Sequence, residues 1–203
     1  MQAYLTATEI IDYQNPKIQQ LAHQLTNLDK TTTAKACFEW VRDNIYHSCD
    51  YQMNPVTCRA SDVLEYKTGY CYAKSHLLAA LLRANSIPTG FCYQRLSVFD
   101  NGTPYSLHGL NAVYLADYGW YRIDARGNKP GINAQFTPPQ EQLAFKLNFA
   151  DEVDCKHVFA EPLPEVIKSL QTSRTWDEAL QNLPDVEQKY LVELTTNMRS
   201  GIL

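Results

Sequence analysis

The chain has 203 residues, is 45% hydrophobic, and carries 18 basic against 22 acidic residues for a net charge of −4. That length supports one domain with a substantial apolar core, and a near balance of charge excludes a basic surface built to track phosphates, so nucleic acid is not expected as a partner. No apolar run is long enough to span a bilayer and Met1–Thr6 lacks the basic start and apolar core of an export signal, so the expected location is the cytoplasm, with no membrane partner.

Ala3–Thr8 reads as a short strand. Asn15, followed by Pro16, is a helix start, with Ile18, Leu21, Leu25 and Leu28 as its buried face. A second helix begins near Thr32 and presents Ala34, Cys37, Phe38, Val41 and Ile45 at helical spacing. From Tyr46 to Tyr70 there is one short apolar patch, Val63-Leu64, and a proline at 55; this predicts a loop with a brief helix, the kind of segment that shapes a cleft.

The segment Thr68–Ala84 is the centre of the chain. Apolar residues at 73, 77–82 and 84 leave no wide polar stripe, the pattern of a helix buried on most sides. Thr68 or Gly69 can cap it, and Asn85 with Ile87-Pro88 ends it. Cys71 then lies in the first turn, where unpaired N–H groups and the positive end of the helix dipole favour a thiolate. A lone cysteine in an apolar helix is more often a small buried hydrophobe, so its role rests on partners.

Gly90–Val98 alternates as a strand, and Asp100-Asn101-Gly102 is a turn into the next one. Leu107–Leu115 reads as a strand, Ala116–Gly119 as a turn and Trp120–Ala125 as the returning strand. His108 and Asp124 therefore sit on neighbouring strands. A simple hairpin sets Asp124 opposite Asn111 or Ala112, short of His108, so a bulge, twist or shifted register is required. Gln140–Phe145 predicts a short helix ahead of Val153–Phe159, and Asp151–Asp154 a solvated acidic loop rather than a calcium site. Leu163–Leu170, Trp176–Leu183 and Val186–Met198 predict helices that trim the domain.

The six cysteines (37, 49, 58, 71, 92 and 155) lack the dense spacing of a disulfide framework and read as free thiols. His47 with Cys49, or Cys155 with His157, could each offer a metal-ligand pair, yet no Cys-x-x-Cys is present, so neither a metal nor a cofactor is expected.

A thiol at a helix start, an imidazole and a carboxylate are the parts of an activated nucleophile. The combination of Gly69-Tyr70-Cys71 opening a helix, His108 opening a strand, and Gly119–Asp124 closing the hairpin sixteen residues later resembles the transglutaminase-like superfamily, relatives of the papain-like thiol enzymes. The resemblance covers about residues 34–128. It departs after the histidine, where Gly109-Leu110 stand, and after the aspartate, where Ala125-Arg126-Gly127 stand. The element order gives an α+β fold with a nucleophile helix packed on a small antiparallel sheet and flanking helices, in a single domain over 1–203 whose part from 140 on is helical, and the resemblance implies that its core is papain/transglutaminase-like. It also implies Cys71 as nucleophile, His108 as base and Asp124 as orienting acid, with Tyr46 or His47 as oxyanion donor. The expected activity is a cysteine hydrolase, peptidase- or amidase-like, or an acyltransferase, acting through a thioester on a peptide, a protein or a small amide. Two other classes compete: a catalytically silent domain of this fold that binds proteins or peptides, and a structural domain whose cysteines are only core.

Overall fold

The computed structural model describes residues 1–99 and 101–199. The chain opens with a 3-10 turn at Gln2–Leu5, not a strand. None of its residues is buried, so it has no apolar face to pair; Tyr4 anchors it by donating its hydroxyl to the Val158 carbonyl and packing edge-on against Trp120. Helix α1 (Pro16–Gln24) starts where Asn15 accepts the Lys17 N–H, as expected, and buries Ile18 and Leu21. It ends before Leu28, which is fully exposed. Helix α2 (Lys30–Asn44) is capped by Asp29, whose carboxylate accepts the Thr32 N–H, and buries Ala34, Cys37, Phe38 and Val41, with Ile45 buried just past its end.

The segment after α2 is more ordered than the sequence suggests. Strand β1 (Tyr46–His47) pairs in parallel with β2 (Thr68–Gly69), and between them lie α3 (Ser48–Tyr51) and α4 (Ala60–Tyr66). Helix α5 (Cys71–Ala84) follows β2 directly, and every residue from Cys71 to Arg83 is buried. Its cap is Tyr70 rather than Thr68 or Gly69; Thr68 spends its hydroxyl on the Tyr46 carbonyl and Ser48, holding the β1–β2 pair. Two buried charges on α5 are satisfied by backbone: Arg83 donates to the carbonyls of Thr6, Thr89 and Ala160, and Lys74 to those of Arg42 and Ile45. Such pairing is what permits charge inside a core.

The main sheet has the order β5-β4-β3-β8, all antiparallel, built from β3 (Thr89–Ser97), β4 (Tyr105–Leu115), β5 (Gly119–Ile123) and β8 (Val153–Phe159). Asp100 of the expected turn between β3 and β4 lies outside the described residues. A small hairpin of β6 (Gln135–Thr137) and β7 (Gln140–Gln142) replaces the helix expected at Gln140–Phe145. Tertiary bonds decide this: the Tyr121 hydroxyl donates to the Gln140 carbonyl and accepts the Thr137 N–H, and Arg122 pairs with Glu141. The part of the chain from 140 on therefore contributes two strands as well as α6 (Pro164–Thr172), α7 (Trp176–Gln181) and α8 (Gln188–Arg199).

The acidic run is not a solvated loop. Glu152 is buried and accepts N–H bonds from Ser97, Asn148 and Phe149, while Asp154 pairs with Arg122 and Lys156. One apolar core, running from Ile10 to Leu191, surrounds α5, and a second small cluster of Cys92, Leu110, Ala112 and Val158 lies with Trp120 and Tyr4. The result is an α+β fold in which one helix is enclosed by helices and an antiparallel sheet. Among the described residues, no helix is long and apolar enough to cross a membrane.

Candidate active site

Cys71 is the first residue of α5, and the first amide of that helix to bond back to its own turn is Lys74, which donates to the Tyr70 carbonyl. The N–H groups ahead of it have no partner within the helix, which leaves donors and positive dipole at the thiol. Gly109 on β4 brings the sheet against this turn. A Cβ at that position would stand 2.8 Å from the Tyr72 ring, so the close approach requires glycine. The same approach aims the Gly109 N–H at Cys71 Sγ, 3.5 Å away. Asn111 ties helix to sheet from within, donating to the carbonyls of Ser75 and Gly90.

His108 and Asp124 meet without any bulge between β4 and β5. Their register pairs Asn111 with Ile123, so Asp124, the next residue, falls opposite Leu110 and diagonal to His108. Diagonal neighbours on one face are within reach of long side chains. The His108 Nε2 and Asp124 Oδ2 are 2.8 Å apart. Of the expected alternatives a bulge is not used: the register differs, setting Asp124 opposite Leu110 rather than Asn111 or Ala112, and the diagonal side-chain contact spans the remainder.

Asp124 is buried and fully committed. Oδ2 also accepts the Ala144 N–H at 3.0 Å, and Oδ1 accepts the Arg126 N–H at 3.1 Å. Burial raises its pKa, but His108 and those N–H donors outweigh it, so the carboxyl is held below its ordinary value. For His108, burial acts downward, while the Asp124 carboxylate and the Cys71 thiol act upward and win, lifting the imidazole to about 10. With Nε2 given to Asp124, Nδ1 is the ring nitrogen left for the thiol. Phe145 packs edge-on against the His108 ring at 4.8 Å.

Cys71, His108 and Phe145 line a cleft of about 210 Å³, with Asp124 buried behind it. His47, Cys49 and Tyr70 form one wall, Leu96, Leu107, Leu180 and Leu183 an apolar flank, and Arg126, Phe145 and Lys146 the third side. Of the two expected oxyanion donors, His47 reaches this cleft. Tyr46 does not: its exposed ring packs edge-on against Tyr51 at 4.8 Å, and it lines a separate pocket with Arg42 and Asp43. His76 is a structural residue, buried with Nδ1 against the Cys58 carbonyl at 2.7 Å.

Sequence reading missed several contributors. The tail is more than trim, because α7 and the turn after it supply Leu180 and Leu183, the Tyr70 hydroxyl donates to the Trp176 carbonyl, and Leu107 N–H donates to the Pro184 carbonyl. Arg126 was visible only as an oddity after Asp124; it clasps Asp50 with bonds of 2.6 and 3.1 Å. No sequence signal marked Ala144, whose backbone does the work. All six cysteines are free thiols. Among the described residues no group of three or more His, Cys, Asp or Glu side chains could hold a metal ion.

Residues 19–125, more than half of the chain, match the transglutaminase-like superfamily. The chain belongs to the transglutaminase-like superfamily. Membership places it in a family of thiol enzymes. Among solved structures it is similar to a "Putative Cysteine Protease from Cytophaga hutchinsonii", with 23% identity, a TM-score of 0.48, and coverage of 61% of this chain and 40% of that one. It is also similar to the periplasmic domain of TgpA from Pseudomonas aeruginosa bound to ethylmercury, with 20% identity, TM-score 0.42 and coverage of 55% and 44%. A TGase matches at 14% identity and TM-score 0.42 over 92% of this chain and 48% of that one. The chain thus spans less than half the length of these structures. No curated protein matches it.

Proposed function

We propose that this member of the superfamily is a thiol-dependent acyl-transfer enzyme that attacks an amide or ester carbonyl through Cys71, with water as the usual acceptor. The observation that carries this reading is the buried His108–Asp124 pair, 2.8 Å across, beside a thiol at a helix start. His108 takes the Cys71 proton and the thiolate attacks the acyl carbon. The backbone N–H of Cys71, unpaired within its helix, is the donor we assign to the oxyanion. Collapse of the tetrahedral intermediate breaks the carbonyl–leaving-group bond, the leaving group takes the proton from His108, and a thioester remains. Water then attacks, giving one proton back to His108; the carbon–sulfur pair returns to Cys71, and the carboxylic acid leaves and loses its remaining proton to solvent. Asp124 keeps the ring turned and its charge compensated throughout.

Hydrolysis is favoured because the cleft is open to solvent, so water reaches the thioester. The apolar flank of Leu96, Leu107, Leu180 and Leu183 suits an apolar acyl group, as in a peptide or a small amide. Limiting iodoacetamide, read by mass spectrometry of the native protein, tests the nucleophile. Burial pushes the thiols of Cys37, Cys58 and Cys92 up to about 12, and those of Cys49 and Cys155 upward as well. Cys71 is expected to take the first label, and a chromogenic acyl ester to leave its acyl group on the same residue. Labelling of Cys49 or Cys58 with Cys71 spared in an open cleft would sink the assignment.

A further inference from the structure

His47 is a second imidazole in the cleft, without a task in the steps above. Its backbone is fixed by the parallel ladder, where it pairs with Gly69, two residues before the nucleophile. Its ring is buried and stacks edge-on against Tyr70 at 5.5 Å. Nδ1 is sealed and has no hydrogen-bond partner, and it faces Asp50 Oδ2 at 3.8 Å. Asp50 is immobilised by Arg126 through both oxygens and by Lys129 at 2.6 Å. Burial opposes ionisation of Asp50, but those two cations outweigh it and hold the carboxyl far below its ordinary value.

A fixed carboxylate attracts a ring N–H and repels a ring lone pair. The proton of a neutral His47 therefore belongs on Nδ1, and Nε2 carries the lone pair. Burial, then Arg126, lower the pKa of this ring, with Lys74 and His108 acting the same way and Asp50 against them, so the neutral form prevails near pH 7. Such a nitrogen is the wrong partner for an oxyanion. It is the right partner for a hydrogen on the attacking group.

We propose that His47, oriented by Asp50, is a catalytic residue that accepts a hydrogen bond from the acyl acceptor and so favours acceptors with two hydrogens on the attacking atom, water or a primary amine. This rests on the acyl-enzyme reading. In the second half-reaction one hydrogen passes to His108 as the acceptor's lone pair forms the new bond to carbon and the carbon–sulfur pair returns to Cys71. The other hydrogen stays on the acceptor, held by His47 Nε2, and aims that lone pair. An alcohol has one hydrogen and gains nothing from the second imidazole.

The test uses p-nitrophenyl acetate, whose burst reports acylation and whose steady state reports transfer to water, with methylamine and methanol as added acceptors. For His47→Phe, which keeps an aromatic ring against Tyr70, the burst rate should stay within about threefold. Turnover to water and the methylamine-to-methanol product ratio should each fall by about tenfold, the order of one hydrogen bond. His47→Gln, whose amide oxygen accepts, should recover most of both. Asp50→Asn should lower the ratio in the same direction, because its amide donates toward Nδ1 and moves the ring proton to Nε2. A burst slowed as much as turnover in His47→Phe, or an unchanged product ratio with Cys71 still acylated, would overturn the assignment alone. Absence of acylation at Cys71 in the unsubstituted protein would overturn the acyl-enzyme reading and this assignment with it.

Discussion

Helix α5 and the segment Gln140–Asn148 approach the candidate site from opposite sides and are held by different forces. Every residue of α5 from Cys71 to Arg83 is buried, so the thiol is placed by apolar packing on all sides. The Gln140–Asn148 segment is half-buried or exposed throughout. It is held by polar bonds: Arg122 to Glu141, Ala144 N–H to Asp124, and Asn148 N–H to Glu152. The position of the Cys71 thiol is therefore stored in the core, and the orientation of the His108 imidazole in a few hydrogen bonds. Substitutions should separate the two, with core changes lowering stability and polar changes lowering turnover.

The sharpest break comes at the residues that both regions serve. Cys71→Ala should reduce turnover of an acyl ester to background, and His108→Ala should cost about 10³-fold or more in kcat/KM, with thermal unfolding still cooperative. The double variant should be no worse than the worse single one, the non-additivity of groups acting as a unit. A folded His108→Ala protein with near-normal turnover would place the base elsewhere.

On the packing side, Leu78 is fully buried in the middle of α5. Leu78→Ala should destabilise by about 2–5 kcal/mol in urea unfolding, through lost burial and the cavity left behind. Turnover per folded molecule should change only a few-fold. A loss of kcat as large as that of His108→Ala, in protein shown to be folded, would mean that the helix interior sets the chemistry directly.

Asp124→Asn belongs to the polar side. The amide can present N–H to the ring and removes the charge beside it, and about 10²-fold loss of turnover is expected with the fold retained. The same pair makes a stability signature. His108 is raised to about 10 in the folded chain, above its unfolded value of about 6.5, so its contribution is full below about pH 6.5 and lost as pH rises toward 10. Asp124 is lowered, so its contribution is present above about pH 3.9 and lost as pH falls through its folded value. Urea midpoints across pH 6.5–10 should decline for the parent protein and decline less for Asp124→Asn. Parallel declines would assign the slope to other groups.

How much of this was legible in the sequence follows from what each residue depends on. Helices α2 and α5 were visible because their burial is written in apolar spacing, and Cys71, His108 and Asp124 because the Gly-Tyr-Cys, the strand histidine and the sixteen-residue interval form a local pattern. Ala3–Thr8 and Gln140–Phe145 were misread because tertiary bonds from Tyr4, Tyr121 and Arg122 decide their conformation. Leu28 looked like a core residue by spacing alone, yet α1 stops before it. Lys74 and Arg83 drew no reading of their own within the buried helix, and only the carbonyls of distant residues explain their burial. The Asp50 clasp on Arg126 joins positions 76 apart and left no local trace.

The smallest effect tests the weakest link between the two regions, the Ala144 N–H on Asp124 Oδ2. Ala144→Pro deletes that donor, since proline has no N–H, while also fixing φ at 144 and restricting Leu143. Asp124 keeps its bonds to His108 and the Arg126 N–H, so the carboxylate is not stranded, and the loss should stay at the low end for a charge-assisted bond, about tenfold in kcat. Ala144→Gly keeps the N–H and should retain near-parental turnover, which separates the donor from the methyl group. If Ala144→Pro acted only through a loosened chain, Phe145 would leave the His108 ring and KM would rise along with the fall in kcat. A fall in kcat at constant KM, together with a lower His108 pKa by NMR titration as Asp124 loses part of its hold on the ring, is the expected outcome. An unchanged kcat would show that His108 and Arg126 alone fix the carboxylate, and that the Gln140–Asn148 segment is a cover rather than a support.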